Sequence, residues 1–496
     1  MMSAHWPIIR QLVAHPSRLL VLDDQKHWKA YELLAAAFHV ASAIEKHSTA
    51  SHVGIMLPTS GLFPVAALAS WMLGRVIVPL NYLLKGEDLQ YVCDDAELDA
   101  IVTVQPMLDF VGFEPSGCAM IKLEDLNFTG VPEPRWPAIR SRDDLATLLY
   151  TSGTSGRPKG VMLTHGNLRS NVLQSVEWAG FGTGDSMLGV LPQFHSFGLT
   201  VLTLVPLTVG LPVYFTAKFM PRRIVQMIRK RRPTAMVAIP SMYNALLTVK
   251  DGSPEDFASL RYVVAGGEPL PDAVAEAFEE RFGVRIAEGY GLTETSPVSH
   301  WCRPFEFKRH SVGRPVPGVQ TRIVDPEEHE CPPGSDGEIR LAGPNIMKGY
   351  YRLPEESRSA FDDRGYFRTG DMGHVDENGF LYITGRIKEM MIIAGENVFP
   401  REIEEVLNRH PSVSASAVFG IMDPSRGEVP ISYVELVEDA DFDEVGIRAF
   451  CREHLAQYKV PREILHAAEG LPRNPTGKIL HRELKANYGK SAEVGA

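Results

Sequence analysis

The stretch LATLLYTSGTSGRPKGVMLTH, residues 145–165, carries the strongest local signal in the 496-residue chain. The apolar run 146–150 predicts a buried strand, and the segment 151–160 that follows is rich in glycine and hydroxyl side chains and contains Lys159. Glycines let the backbone turn tightly and bring its N–H groups close to phosphate oxygens, while hydroxyls and a lysine add donors and positive charge. The pattern therefore predicts a strand that leads into a phosphate-binding loop.

Two better-known loops are excluded by single residues. The Walker A motif needs a glycine five residues after Gly153, and Pro158 stands there. A nucleophile elbow would need a glycine at the position of Arg157. The spacing therefore disfavours a classical P-loop kinase and an α/β-hydrolase.

On both sides of this loop, short apolar strands alternate with amphipathic helices, which predicts an α/β fold of parallel or mixed sheets flanked by helices. Strands are predicted at 52–57, 75–80, 236–239 and 262–265, and a helix at 62–73. A further helix is predicted to begin at Pro271 and to end at Gly283. After Gly385 the pattern changes to helix, two strands and helix, which indicates a smaller α+β domain.

Composition narrows the class of protein. The length suggests roughly three lobes at about 150 residues each. The net charge of −11 argues against a protein that coats nucleic acid. The five cysteines form no CxxC motif, so a disulfide framework and a cysteine-based zinc site are not expected, and a reducing, cytoplasmic location fits.

Neither a signal peptide nor a membrane span is predicted. The N-terminus lacks a cationic stretch followed by an apolar core. The most apolar run, 199–215, is interrupted by Pro206, Gly210 and Pro212. These breakers predict a buried helix followed by a buried strand.

Four further motifs follow the phosphate loop in order: GYGLTET (289–295), YFRTGD (366–371), GRIKEMMIIAGENVFPREIE (385–404) and NPTGKIL (474–480). With YTSGTSGRPKG, they resemble the adenylate-forming superfamily of acyl-CoA synthetases, firefly luciferase and the adenylation domains of peptide synthetases. The resemblance implies a large N-terminal AMP- and acyl-binding domain, 1–387, and a mobile C-terminal domain, 388–496, with Lys388 as the hinge.

The resemblance also implies a reaction. A carboxylate joins the α-phosphate of ATP with release of pyrophosphate, and the acyl group then passes to the thiol of CoA. The expected phosphate-binding residues are Thr151, Ser152, Gly153, Thr154, Ser155, Gly156 and Lys159. The expected adenine and ribose contacts are Gly266, Gly267, Glu268, Glu288, Gly289, Tyr290, Asp371 and Arg386.

Further roles follow from the same resemblance. Glu294, with Thr151, is expected to hold Mg²⁺, and Thr293 to contact the α-phosphate. Lys478 is expected to bridge the carboxylate and the α-phosphate, and Gly395 to let the thiol arm pass. His195 stands where the acyl pocket begins, as a gate, as a group that polarises the carboxylate, or as a core histidine.

The sequence does not decide which carboxylic acid is activated or which thiol accepts the acyl group. The apolar residues 199–207 and the small residues 265–267 suit a medium- or long-chain fatty acid, with aryl and other acids as alternatives. The chain also resembles acyl–acyl-carrier-protein synthetases, and the basic segment 221–233 could contact a carrier protein or a membrane surface, although a solvated helix face is the commoner role of such a segment. An inactive nucleotide-binding homologue is the alternative that is not an enzyme. The oligomeric state cannot be predicted.

Overall fold

The structure is a computed structural model that describes residues 3–152, 157–423, 427–473 and 479–494. The α-helices are α1 His5–Ala14, α2 Ala30–His47, α3 Leu62–Met72, α4 Gly86–Asp95, α5 Gln105–Val111, α6 His165–Ala179, α7 Ser196–Leu199, α8 Val205–Val209, α9 Pro221–Arg231, α10 Pro240–Leu247, α11 Pro254–Phe257, α12 Asp272–Phe282, α13 Pro354–Ser359, α14 Pro400–Asn408, α15 Glu444–His454 and α16 His481–Val494. The strands are β1 Leu19–Leu22, β2 His27–Lys29, β3 His52–Met56, β4 Val76–Pro79, β5 Ala100–Thr103, β6 Ala119–Lys122, β7 Leu145–Ser152, β8 Pro158–Thr164, β9 Met187–Gly189, β10 Val213–Phe215, β11 Ala235–Ala238, β12 Tyr262–Ala265, β13 Ala287–Gly291, β14 Val298–Trp301, β15 Arg314–Pro315, β16 Gln320–Val324, β17 Gly337–Ala342, β18 Gly349–Tyr350, β19 Phe367–Val375, β20 Leu381–Arg386, β21 Met391–Ile393, β22 Glu396–Val398, β23 Val413–Asp423, β24 Gly427–Leu436 and β25 Glu463–His466.

Within the described ranges the strands form four sheets. A nine-stranded sheet has the order β15-β14-β13-β12-β11-β9-β10-β1-β2, and a seven-stranded sheet has the order β18-β8-β7-β4-β3-β5-β6. Both are mixed: strands β9 to β13 pair in parallel, as do β3 with β4 and β5, whereas β7 and β8 form an antiparallel hairpin. The predicted α/β architecture is confirmed.

Helix α12 illustrates how local sequence sets an element. Pro271 occupies the N-cap position, and Gly283 ends the helix in the left-handed conformation at φ 67°. Phe278 and Phe282 are fully buried and pack on Phe257. The helix begins and ends as the sequence predicts, and its aromatic face packs against α10 and α11.

The apolar run 199–215 is also buried, as predicted. A π-helical segment, Thr200–Leu204, joins α7 to α8, and Gly210 at φ 76° ends that helix before β10. A π-helical turn widens the backbone and is frequent beside functional sites. No helix in the described part of the chain has the length and hydropathy needed to cross a membrane.

The predicted domain boundary falls between two sheets. Strand β20 closes the four-stranded sheet β16-β17-β19-β20, a 3₁₀ turn follows at Ile387–Glu389, and β21 begins a five-stranded sheet. That last sheet has a core of its own, around Ile403, Leu407 and Ile447. The limits 1–387 and 388–496 remain a prediction.

Helix α14 packs on the large lobe through polar contacts. Arg409 Nη2 lies 2.7 Å from Asp272 Oδ2 at the start of α12. Arg401 Nη1 donates to the carbonyl oxygen of Ile383 at 2.8 Å. These contacts define the orientation of the C-terminal sheet in this structure.

Residues 221–231 of the basic segment 221–233 form α9, and acidic groups elsewhere in the fold engage part of it. Arg229 pairs with Asp256 at 2.6 Å, and Arg223 pairs with Asp24 at 2.7 Å. These partners neutralise two of the charges that a carrier protein would need. The contacts favour a solvated helix face over a dedicated docking surface.

Candidate nucleotide and acyl site

The predicted phosphate-binding loop falls between the two strands of the β7–β8 hairpin in sequence. Pairing continues to Ser152 opposite Pro158, so β7 is longer than the predicted strand 146–150. Thr151 lies opposite Lys159, and both line a cavity of about 740 Å³. The predicted loop residues Gly153, Thr154, Ser155 and Gly156 lie outside the described residues.

The acidic candidate for a metal ligand is Glu294, in a 3₁₀ turn, Thr293–Thr295, that follows β13. Its Oε1 accepts a hydrogen bond from the hydroxyl of Tyr350 at 2.9 Å, and burial raises the pKa of its carboxyl group. The Nζ of Lys159 lies 5.6 Å from the centre of the Tyr350 ring. Thr293 and Glu294 both line the cavity, as do Thr151 and Lys159 of the β7–β8 hairpin.

The predicted adenine and ribose residues meet around one carboxylate. Asp371 and Arg386 are register partners on β19 and β20, and Arg386 Nε lies 2.9 Å from Asp371 Oδ1. The hydroxyl of Tyr290 donates to Asp371 Oδ2 at 2.6 Å, and burial together with that carboxylate holds the pKa of Tyr290 well above its usual range. Tyr290 and Arg386 line the cavity. Tyr290 therefore lines the cavity, and its hydroxyl already has a hydrogen-bond partner.

The second predicted adenine segment follows β12. Gly266, Gly267 and Glu268 line the cavity together with Gly289. A Cβ on Gly266 would lie 3.0 Å from Cε1 of Phe197, so the close approach of that ring restricts residue 266 to a very small side chain. The parallel strands β12 and β13 thus supply one wall at their carboxyl ends, the usual position of a ligand in an α/β sheet.

Glu288 and Asp371 are the two predicted adenine and ribose residues that are not among those lining the cavity in the described part of the chain. The carboxylate of Glu288 accepts a hydrogen bond from the backbone N–H of Leu270 and lies near the guanidinium of Arg401 on α14. Burial raises the pKa of Glu288 to about 7, against the opposing effect of Arg401. In this structure the residue belongs to the seam between α14 and the large lobe.

Glu288→Gln is expected to raise the midpoint of thermal unfolding at pH 8 more than at pH 5. The folded-state pKa lies above the unfolded one, so the folded protein binds the proton more tightly, and its stability falls as the pH rises towards and through 7. A glutamine at position 288 carries no charge, so the stability of the variant does not fall with pH for this reason. Thermal unfolding followed by circular dichroism at both pH values checks this prediction. Glu280→Gln, at an exposed residue of α12, is the control. An equal shift at both pH values would contradict the assignment.

The hinge and thiol-channel candidates are separated in space. Lys388 is exposed in the 3₁₀ turn Ile387–Glu389 and lines the cavity. Gly395 lies in the two-residue turn between β21 and β22, at φ 88°, with Ala394 also at positive φ. That turn is exposed and is not among the cavity-lining segments. Lys478 lies outside the described residues.

The cavity extends past the nucleotide candidates into an apolar region. His195, Phe197, Val201 and Val205 line it from α7, the π-helical segment and α8. His195 is exposed, so the interpretation as a core histidine is wrong. Only part of the predicted run 199–207 faces the cavity.

Sequence reasoning missed part of the cavity wall. The residues concerned come from α6, β9, β12 and β14 and the connections beside them: Ser175, Phe181, Met187, Tyr262, His300 and Trp301. None lies in a recognisable motif, and a hydrophobic strand or helix residue gives no local sign that it faces a cavity rather than the core. Only the packing of α6 against the nine-stranded sheet brings them together.

Comparison with known proteins decides the family. The sequence model described as AMP-binding enzyme matches residues 9–351, and that of the AMP-binding enzyme C-terminal domain matches residues 402–478. The chain belongs to the AMP-binding enzyme family. The resemblance of its five motifs is thereby confirmed.

Individual members of the AMP-binding enzyme family resemble the whole chain. A long-chain-fatty-acid–CoA ligase of Bacillus subtilis (strain 168) is 32% identical over 91% of this chain and 88% of its own length. A 2-succinylbenzoate–CoA ligase of Bacillus velezensis is 33% identical over 96% of both chains. The crystal structure of ATP-bound MatB from Rhodopseudomonas palustris is 32% identical, with a TM-score of 0.88, over 98% of this chain and 99% of that one. Proteins that act on very different acids are thus about equally similar to this AMP-binding enzyme.

Proposed function

We propose that this protein is an AMP-forming acid–CoA ligase that activates a carboxylic acid with an apolar body. The observation that carries the proposal is that the β7–β8 hairpin, the acidic turn with Thr293 and Glu294, and the two partners of Asp371, Tyr290 and Arg386, line one cavity with an apolar extension. Full-length similarity to acid–CoA ligases supports the same activity.

In the first half-reaction, a carboxylate oxygen attacks the α-phosphorus of ATP, and the bond to the β-phosphate oxygen breaks, which releases pyrophosphate. Two anions must meet, so preorganised donors and positive charge are the main requirement. Lys159 and the hairpin bind the β- and γ-phosphates, and Asp371 and Arg386 bind the ribose. Thr293 and Lys478 stabilise the charge that develops at the α-phosphate.

Mg²⁺ fits the donors beside these phosphates. The Glu294 carboxylate and the Thr151 hydroxyl are hard oxygen ligands on the cavity wall, and a nucleotide-bound Mg²⁺ needs only one or two protein ligands in addition to phosphates and water. When bound, the ion neutralises phosphate charge. The hydroxyl of Tyr350 orients Glu294 for this contact.

In the second half-reaction, the thiol of CoA loses its proton and its sulfur attacks the acyl carbon. The bond from that carbon to the phosphate oxygen breaks, and AMP leaves. Rotation about Lys388 would withdraw Lys478 and bring the Ala394–Gly395 turn to the cavity. Both segments are exposed, and the rotation would require the contacts of Arg401 and Arg409 with the large lobe to break.

The acid is proposed to be a medium- or long-chain fatty acid, because Val201, Val205 and Met187 line the extension with aliphatic groups. An aryl acid is the second candidate. Tyr262 and Trp301 line the same extension and are more than nine-tenths buried, which favours a flat ring between them and the aliphatic wall.

The proposal is tested by pyrophosphate release with ATP and Mg²⁺ across acids from acetate to long-chain fatty acids, with aryl acids included. Each acid is combined with CoA, with phosphopantetheinylated carrier protein, and with neither. Turnover with CoA supports the proposal, and turnover with carrier protein alone would replace the acceptor. ATP binding without acid-dependent release would indicate an inactive homologue and contradict the proposal.

A further inference from the structure

The C-terminal part of α4 packs against the β7–β8 hairpin. The hydroxyl of Tyr150 on β7 donates to Asp95 Oδ2 at 2.5 Å. The guanidinium carbon of Arg157, which directly precedes β8, lies 5.2 Å from the centre of the Tyr91 ring. No residue of α4, a helix that the structure describes in full, lines the cavity. The helix therefore contacts the hairpin from the side away from the cavity.

The same end of α4 also contacts the segment that follows β18. The hydroxyl of Tyr351 donates to Glu97 Oε2 at 3.3 Å, and Arg352 Nη2 lies 2.5 Å from Glu97 Oε1. Arg352 Nη1 donates to the carbonyl oxygen of Asp95 at 3.3 Å. The backbone N–H of Tyr351 donates to the carbonyl oxygen of Gly160 on β8 at 2.7 Å, which joins this segment to the hairpin. Two carboxylates that are close in sequence thus hold two neighbouring strands.

Each of the two tyrosines has a neighbour in the chain that lines the cavity. Alternate residues of a strand point to opposite faces of the sheet. Thr151, which follows Tyr150, lines the cavity. Tyr350, which precedes Tyr351, lines it as well and donates to Glu294 Oε1 at 2.9 Å. The carboxylates of α4 therefore hold the residues next to two side chains that face the proposed phosphate site.

The ring of Tyr150 is closely packed, so a movement of its hydroxyl would be passed to the strand. A Cβ on Gly160 would lie only 3.1 Å from Cζ of that ring. Burial, together with the carboxylate of Asp95, raises the pKa of Tyr150 well above its usual range. The hydroxyl therefore keeps its proton and acts as the donor in this bond.

Glu97 has a backbone conformation that favours glycine. It follows Ala96, the C-cap residue of α4, and has a φ of 51°. Glycine or asparagine is the usual residue in such a left-handed position after a helix, because a Cβ is unfavourable there. The backbone therefore gives no reason for a glutamate. The side chain does, through its contacts with Tyr351 and Arg352.

We propose that Asp95 and Glu97 are positioning residues for ATP. Through Tyr150 and Tyr351 they fix the side of the cavity that binds the phosphates, and neither carboxylate touches the nucleotide. The inference rests on the proposed acid-activating function and adds to it two residues that lie outside the five motifs.

The experiment measures ATP binding by calorimetry, together with the KM values for ATP and for the acid in pyrophosphate exchange. Asp95→Ala is expected to weaken ATP binding and to raise the KM for ATP about fivefold to tenfold, because the Tyr150 hydroxyl loses its acceptor. The KM for the acid should change by less than about twofold. Asp95→Asn keeps an acceptor and should restore values close to those of the wild type.

Two further variants control for this result. Asp94→Ala is the matched control, since Asp94 is exposed and accepts a hydrogen bond from Gln90 of its own helix. It should change neither KM. Tyr150→Phe removes the donor, and its combination with Asp95→Ala should be no worse than either single variant, because both act through one bond.

Glu97→Gly separates positioning from stability. Glycine suits a φ of 51°, and an exposed ion pair contributes little to stability, so the variant should unfold at or above the temperature of the wild type. Its affinity for ATP should nevertheless fall about threefold to fivefold. A residue needed only for the fold would show the reverse: a lower unfolding temperature and an unchanged affinity.

The outcomes separate the two proposals. An unchanged affinity for ATP in both Asp95→Ala and Glu97→Gly would overturn the inference and leave the ligase function standing. Equal rises in the KM values for ATP and for the acid would overturn it as well, since they would indicate a general loosening of the fold. Absence of acid-dependent turnover with every acid would overturn the ligase function, and the calorimetric affinities would still decide the inference.

Discussion

We expect Lys478→Ala to slow acyl-adenylate formation by about 10²–10³, the usual effect of removing one preorganised donor from a developing anion. Lys478 lies outside the described residues, so the prediction comes from the motif NPTGKIL. The flanking residues are fixed: Arg473 pairs with Ile479 in a β-bridge and with Glu435 in an ion pair at 2.8 Å. The loss should be confined to the first half-reaction.

Two assays separate the half-reactions for this variant. Acid-dependent exchange of labelled pyrophosphate into ATP reports adenylation, and release of AMP from a supplied acyl-adenylate with CoA reports thioester formation. Lys485→Ala, at an exposed lysine of α16, is the matched control and should change neither. Equal losses in both assays would mean that Lys478 supports the fold rather than the first transfer.

Lys388→Pro is expected to have the opposite effect: exchange of pyrophosphate is retained, and thioester formation falls to near background. Proline fixes φ at about −65°, which suits the 3₁₀ turn Ile387–Glu389 but prevents a large change of that angle. A rotation of the C-terminal sheet about this residue would therefore be blocked.

Lys388→Ala is the control for this second variant, because it removes the charge and keeps the backbone free. It should retain both half-reactions. If proline and alanine had the same effect, the side chain and not the rotation would be responsible. If Lys388→Pro abolished exchange and spared the second step, the orientation fixed by the turn would be the thioester-forming one.

The nucleotide half of the site could be predicted from sequence because its residues lie in contiguous motifs. Thr151 and Lys159 are brought together by the hairpin that their own segment forms. Asp371 and Arg386 pair across neighbouring strands that a short turn connects. The bond from Tyr290 to Asp371 spans 81 residues and was not predicted; the family resemblance indicated only that Tyr290 contacts the adenine and Asp371 the ribose.

The acyl half could not be predicted in this way. Ser175 and Trp301 are far apart in sequence, yet both line the cavity, and a bond from Trp178 of α6 to the carbonyl oxygen of Trp301 holds α6 against β14. Glu288 shows the converse: it adjoins the GYG motif, yet its carboxylate faces α14 and not the cavity.

The most direct test of an acyl-adenylate route follows an oxygen atom. The enzyme is given an accepted acid labelled with ¹⁸O in both carboxylate oxygens, together with ATP, Mg²⁺ and CoA, and the AMP is weighed by mass spectrometry. Attack of the carboxylate on the α-phosphorus, followed by cleavage at the acyl carbon, predicts one ¹⁸O in each AMP formed. Acyl-CoA formation with unlabelled AMP would contradict the route.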